Sequence, residues 1–294
     1  LKPTKVLIGI CAYNEEKNIA NLLQNLIIKQ NLPKNTRILV ICSGCTDKTP
    51  HIVEEFQKRD PRINLIVEKA RRGKANALNK IFRIAKESAD VLVLVNADAV
   101  PEHGSITKIM SKLLINNDVG AVFAQPVPFK GNNGVCHRIV RVIWRLHHII
   151  SINQKPKLSG ELCAIRTGCL QEIPERVATD EPYIEIIIQQ QGWRILYVPD
   201  AVVYIRCPTN VVDLLKQRKR IRIGHLQVQH ETKFKVSTSG LVNSLQAFSF
   251  LKPSELPYAL IGAFLEILAY FEARFTFNKN RIPYMWEPIK STKF

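Results

Sequence analysis

Two patterns of apolar positions take turns along the first hundred residues. Short, nearly unbroken apolar runs at residues 6–12, 37–41, 63–67 and 91–95 have the composition of strands buried on both faces. Between them the apolar positions spread to helical spacing. Ile19, Leu22, Leu23, Leu26 and Ile27 follow the first run, Ile52, Val53 and Phe56 the second, and Ile81 and Ala85 the third. Strict alternation of strand and helix from residue 5 to about 100 predicts an α/β fold: a doubly wound, mainly parallel sheet with helices on both faces.

The run Val91-Leu92-Val93-Leu94-Val95 breaks abruptly into Asn96-Ala97-Asp98, and Pro101 stops further pairing. Ligands of open α/β sheets bind just beyond the carboxyl ends of the strands. An Asn-x-Asp there sets two oxygen-bearing side chains together, hard ligands that suit Mg2+ or Mn2+ in the company of phosphates. The plainer account is an Asx turn closing a strand. The other strand ends decide between the two, because they carry Glu15, then Ser43 and Asp47, then Arg72 and Lys74. Four segments due at one sheet edge, all ending in such groups, favour a metal-and-phosphate site.

Beyond residue 130 the pattern changes. Residues 137–148 place Arg138, Arg141 and Arg145 on one helical face, with Ile139, Val140, Ile143 and Trp144 filling the rest. This is either an amphipathic helix with a solvated basic face or an interfacial helix lying against anionic headgroups. Lys216, Arg218, Lys219, Arg220 and Arg222 form the densest basic run, for which diphosphate or membrane contact is the expected use. After about residue 230 the composition turns apolar, and residues 256–277 are interrupted only by Glu266, Glu272 and Arg274. Charges at mid-membrane are costly, so a membrane-lying or partner-packing helical hairpin is expected rather than a span. The expected division is a catalytic unit at 1–230 and a helical segment at 231–294.

Composition narrows the partners. The 294 residues hold 42 Lys and Arg against 25 Asp and Glu, a formal charge of +17. Such a field favours nucleotide diphosphates, acidic lipid headgroups or nucleic acid. Nucleic acid is disfavoured, because no stacking aromatics interleave the basic run and no zinc-finger or RNA-recognition signature accompanies it. Seven scattered cysteines, with Cys11, Cys42 and Cys163 in or beside apolar runs, fit small thiols in a reducing compartment. Cys42-x-x-Cys45 has no second pair to complete a zinc site. No signal peptide is visible, and with Leu1 in first place the native start is expected upstream.

In this order the motifs resemble those of the family 2 glycosyltransferases with the GT-A nucleotide-sugar fold. The resemblance is carried by Ala12-Tyr13-Asn14-Glu15-Glu16, Ser43-Gly44-Cys45-Thr46-Asp47, Gly73-Lys74-Ala75-Asn76 and Asn96-Ala97-Asp98. It continues through Thr179-Asp180-Glu181, Gly192-Trp193-Arg194 and Gln217-Arg218-Lys219-Arg220, and so spans roughly residues 5–225. It implies that Ala12, Tyr13, Glu15, Ser43 and Asp47 hold the nucleoside, with Lys74 near the base or diphosphate. It also implies that Asn96, Gln217 and Arg220 belong to the donor site, that Asp98 ligates Mn2+ or Mg2+, and that Asp180 is the general base. Asp180 has a local alternative as the N-cap of a helix beginning near Pro182. Residues 158–166 resemble the family's acceptor-side segment, with Glu161 an unusual charge there.

The implied activity is metal-dependent, inverting transfer of a sugar from a nucleotide-diphosphate donor, UDP-linked before GDP-linked, to a lipid-linked or glycan acceptor. The implied setting is cytoplasmic, peripheral at the inner face of the cell membrane. Pro182 and Ile221 stand where processive members carry Asp and Trp, so transfer of one or a few sugars is expected. Two alternatives remain open: a sugar-phosphate nucleotidyltransferase, and a non-catalytic basic membrane- or nucleic-acid-binding module on the same fold.

Overall fold

The computed structural model describes residues 4–130, 134–153, 156–234, 247–279, 282–287 and 289–292. Its centre is one eight-stranded sheet in the order β3-β2-β1-β4-β7-β6-β8-β5. The strands are β1 (Val6–Ala12), β2 (Thr36–Ser43), β3 (Ile63–Glu68), β4 (Val91–Val95), β5 (Ala99–Pro101), β6 (Val119–Pro128), β7 (Leu162–Arg166) and β8 (Arg194–Ile205). The helices are α1 (Ile19–Gln24), α2 (Thr49–Arg59), α3 (Lys74–Ser88), α4 (Ser105–Ile115), α5 (Val135–Asn153), α6 (Glu181–Gln190), α7 (Val211–Thr232) and α8 (Leu256–Asn278).

β3, β2, β1 and β4 pair in parallel, the half that strict alternation predicts. β7 then enters antiparallel between β4 and β6, and β5 runs antiparallel on β8. β1, β2 and β4 are buried on both faces, and their residues divide with period two. Val91, Val93 and Val95 join one core with Ile8, Val40, Leu22 of α1, Val53 of α2 and Ile109 of α4. Leu92 and Leu94 join the other with Leu7, Ile41, Ile81 of α3 and Ile184 of α6. That sandwiching holds the carboxyl ends of β1, β2 and β4 at one fixed edge.

The C-terminal region differs from the expected hairpin. Residues 256–278 form one continuous helix, α8, packed along α7 and α5. Both acids that interrupt its sequence pair with α7, Glu266 with Arg218 and Arg222 and Glu272 with Lys219 at 3.2 Å, while Arg274 stays exposed and donates to the Tyr270 hydroxyl at 3.0 Å. Much of the basic run on α7 is therefore spent on α8 and not on a diphosphate or membrane. Two arginines of α5 also face this way. Arg145 pairs with Glu255 at 2.7 Å and Arg138 donates to the Tyr258 hydroxyl at 3.2 Å, while Arg141 stays exposed. The opposite side of α8 presents Leu260, Phe264, Ile267, Phe271 and Phe275 to solvent.

Candidate active site

β1 ends at Ala12, and the chain turns through Tyr13 into Asn14, whose φ of 53° is a left-handed conformation that Asn tolerates. The Asn14 amide donates to Thr46 Oγ1 at 3.1 Å and its Oδ1 accepts from Thr46 N at 2.8 Å, joining this turn to the loop after β2. Two more bonds run alongside: Glu15 N donates to Thr49 Oγ1 at 2.7 Å, and Glu16 N to Asp47 Oδ2 at 3.1 Å. Asp47 also accepts from Thr49 N at 3.0 Å, so its carboxylate both stitches the loops and opens α2. The Glu15 carboxylate accepts from the Asn18 amide at 2.9 Å. Buried Ser43 accepts from Arg72 N at 3.4 Å. The Arg71 guanidinium stacks 3.9 Å over the Tyr13 ring. Ala12, Tyr13, Glu15, Ser43 and Asp47 thus lie together at the ends of β1 and β2 and on the turns that follow them.

Lys74 opens α3, and its ammonium pairs with Asp180 Oδ2 at 3.0 Å. Asp180 holds the N-cap position of α6, but its side chain caps nothing; the carboxylate is committed to Lys74. Burial, with the Glu181 charge beside it, pushes Asp180 up, and Lys74 and Arg220 pull it back. Burial would push Lys74 down, but the Asp180 and Glu181 charges outweigh it and hold the ammonium firmly protonated. Lys74 and Asp180 line a small pocket with Gly9, Cys11, Asn96 and Gly160. Arg220 reaches this ensemble by its charge. Gln217 lies one turn earlier on α7 and is half-buried.

Two glycines allow the close packing here. A Cβ on Gly160 would meet Glu181 Cγ at 2.7 Å, and one on Gly224 of α7 would meet Thr179 Oγ1 at 1.9 Å. Both contacts fix the segment that presents Asp180.

At the end of β4 the Asn96 amide donates to Glu161 Oε2 at 2.8 Å. Burial, then the charge of Asp98, pushes Glu161 up to about 7. Among the described residues no three His, Cys, Asp or Glu side chains gather into a closed metal cage. The donor set is two crowded carboxylates and an amide, all hard oxygens. It fits a cation of the Mg2+ type, which is held by one or two carboxylates and completed by phosphate and water. The sequence marks Glu161 as an unusual charge beside an apolar strand but assigns it no role. Glu181 enters only as part of the Thr179-Asp180-Glu181 motif and Lys157 in no motif; nothing local gives either a role before the fold brings α6 and α7 together. All seven cysteines are free, with Cys42 and Cys163 buried.

A mixed sheet whose parallel half ends in acidic and basic side chains, with an antiparallel strand carrying a further acid into the same edge, defines a GT-A-type fold. The chain belongs to glycosyl transferase family 2, whose family model matches residues 7–173. It is 24% identical over 245 residues to a probable glycosyltransferase, YdaM, of Bacillus subtilis, covering 76% of this chain and 56% of that protein. It is 22% identical over 227 residues to an N-acetylglucosaminyltransferase of Rhizobium meliloti, covering 71% and 53%. The chain spans about half the length of these curated relatives. Among solved structures, a mannosyltransferase of Pyrobaculum calidifontis in complex with GDP-Man and Mn2+ superposes with a TM-score of 0.67 at 22% identity, covering 95% of this chain and 88% of that one. Glucosyl-3-phosphoglycerate synthase of Mycobacterium tuberculosis, with Mn2+ and UDP, gives 0.54 at 18%, covering 81% and 83%.

Proposed function

We propose that this chain is the catalytic part of a divalent-cation-dependent, inverting glycosyltransferase that moves a sugar from a nucleotide-diphosphate donor to a lipid-linked or glycan acceptor. The observation that carries the reading is Asp180, a buried carboxylate paired with the Lys74 ammonium in a pocket shared with Asn96. A general base for an acceptor hydroxyl must be unprotonated, oriented and out of bulk water. Asp180 accepts the hydroxyl proton as the oxygen attacks the anomeric carbon, the bond to the diphosphate breaks, and the nucleoside diphosphate leaves. One displacement inverts that carbon without a covalent enzyme intermediate. Lys74 fixes the carboxylate's orientation and, with Arg220, adds positive charge beside the departing group. Asp98, Glu161 and Asn96 are the residues that would hold Mn2+ or Mg2+, which when bound supplies charge stabilisation for the leaving diphosphate. Ala12, Tyr13, Glu15, Ser43 and Asp47 form the nucleoside side, with Gln217 flanking it on α7.

The setting we propose is the anionic inner face of the cell membrane. Residues 1–230 carry the catalysis, and the segment from 231 to 294 supplies the contact through the outer face of α8. Residues 253–278, with an 18-residue window of mean hydropathy 1.4, are long and apolar enough to cross a membrane, yet α8 packs along α7 and both its acids pair with bases of α7. A helix lying in the headgroup region satisfies both facts.

The test is a thermal-shift panel of UDP, GDP, CMP, UDP-sugars and GDP-sugars, each with Mn2+, Mg2+ or EDTA. A ligand that binds only the native state raises Tm by mass action. The expected result is a rise with one nucleotide family, UDP before GDP, that disappears in EDTA. No rise with any nucleotide at saturation and with metal present sinks the proposal.

A further inference from the structure

The acceptor side of the pocket holds charge that the transfer described above does not use. Lys157 precedes the Leu158-Ser159-Gly160 turn, and Leu158 and Gly160 line the same pocket as Asp180. Its ammonium lies 2.9 Å from Nε2 of His225 on α7. A lysine only donates, so Nε2 accepts and the proton of the neutral imidazole sits on Nδ1. That Nδ1 is buried and meets no partner among the described residues, and the same holds for His147 Nδ1 on α5. Among the described residues Lys157 has this one hydrogen-bond partner, which leaves two of its three donor hydrogens for a ligand.

The surroundings are short of negative charge. Arg218 and Arg222 act on both Lys157 and His225, and these two arginines share the single carboxylate of Glu266. Glu185 and Glu181 oppose them, but fully buried Glu185 already accepts from Leu158 N at 3.0 Å, and Glu181 lies in the field of Lys74 and Arg220. Burial, with these cations crowding it, lowers Lys157 to about 8. A half-buried cation in such surroundings gains from any anion placed against it.

We propose that Lys157, positioned by His225 and backed by Arg218 and Arg222, forms an anion subsite that takes the phosphate of a phosphomonoester acceptor. The inference rests on the glycosyltransferase reading of the site and deepens it by naming the acceptor's chemical class. The nucleoside turns at Tyr13 and Ser43 stand at the ends of β1 and β2, whereas Lys157 adjoins the segment leading into β7; the subsite is separate from the donor's diphosphate. The phosphate can belong to a lipid phosphate headgroup or to a small soluble phosphate ester, and both present the same dianionic group.

The test uses the full chain preloaded with Mn2+ and the nucleoside diphosphate that gives the thermal shift. Calorimetry then compares dodecyl phosphate with dodecanol, and glycerol 3-phosphate with glycerol. At least one phosphate ester is expected to bind tenfold or more tightly than its neutral counterpart; preference for the dodecyl ester identifies a lipid source, and preference for glycerol 3-phosphate a soluble one. Lys157→Gln should lose tenfold or more of that affinity and Lys157→Arg should keep most of it, with the nucleotide thermal shift unchanged in both. His225→Gln provides a second variant, expected to weaken the ester severalfold by releasing Lys157. Equal binding of ester and alcohol, or an undiminished ester affinity in Lys157→Gln, overturns the subsite while the nucleotide shift still upholds the glycosyltransferase. Loss of the nucleotide shift in the unmodified chain overturns the parent reading instead.

Discussion

Lys74 Nζ and Asp180 Oδ2 lie 3.0 Å apart, although their residues are separated by more than a hundred positions and by four of the eight strands. The pair joins the start of α3 to the start of α6. Burial raises the carboxylate's hold on a proton and the Lys74 ammonium partly offsets that rise, so its geometry and its basicity both depend on the two elements being in place.

Asp180→Asn is expected to remove transfer by about two to four orders of magnitude, the usual contribution of a positioned base. Nucleotide binding should be nearly intact, because Asp180 does not touch the nucleoside turns. The variant also leaves the Lys74 charge without its partner. Since Lys74 is one third exposed, the stability loss should stay near about 1–3 kcal/mol, below that of a fully buried pair. Turnover with saturating donor, measured beside the nucleotide thermal shift, checks both halves. Equal loss of donor affinity and turnover would contradict the base assignment.

Gly224→Ala should be a positioning lesion. The added methyl would fall 1.9 Å from Thr179 Oγ1, so either α7 or the segment bearing Asp180 must move. Overpacking of this kind costs about 1–3 kcal/mol. The expected signature is a lower Tm together with a kcat reduced tenfold or more and a KM for donor changed far less. An unchanged kcat would show that α7 does not set the position of Asp180.

Much of this arrangement was legible in the chain. The alternation of residues 6–12, 37–41, 63–67 and 91–95 with helical spacing fixes a parallel sheet, and the polar strand ends therefore have one place to meet. The pairing of Lys74 with Asp180 was not legible, because local pattern says nothing about which loop faces which across a sheet. The inward turn of Glu266 was hidden for a similar reason. In one dimension it interrupts an apolar run, but on α8 it sits on the side that meets Arg218 and Arg222. The antiparallel insertion of β7 escaped as well, since the four buried residues at its start, Leu162, Cys163, Ala164 and Ile165, read alike in either direction.

Lys157 makes stability depend on pH in a defined window. Its value in the folded chain is lowered from 10.5 to about 8, chiefly by burial, with Arg218 and Arg222 adding to it and Glu185 and Glu181 opposing it. Below about 8 the group is charged in both states and the folded chain bears the full penalty. Between about 8 and 10.5 the folded chain has lost a proton that the unfolded chain keeps, so stability rises with pH. The unfolding free energy of the native chain minus that of Lys157→Met should therefore climb across this window and level off outside it. Chemical denaturation at a series of pH values reads the difference, and a flat line would mean that Lys157 is not a desolvated cation.

The outer face of α8 makes the last prediction. Phe264 and Phe271 are 58% and 65% exposed, an unusual state for aromatic side chains two turns apart on one helix face. Nearby cations are placed to accompany them: exposed Arg141 on α5, Lys252 before α8, and Lys279 after it, whose ammonium sits 4.0 Å over the Phe275 ring. Apolar insertion and attraction to anionic headgroups act together in such a helix, and neither alone gives firm adsorption. The full chain should co-sediment with phosphatidylglycerol vesicles, less with phosphatidylcholine vesicles, and less again as salt is raised. Replacing both rings, Phe264→Glu and Phe271→Glu, removes about 3 kcal/mol of apolar insertion and should weaken sedimentation roughly a hundredfold. Because both positions face away from α7, the double variant should melt near the native temperature. Unchanged sedimentation of that variant would show that α8 does not make the contact, and that the excess positive charge is used elsewhere.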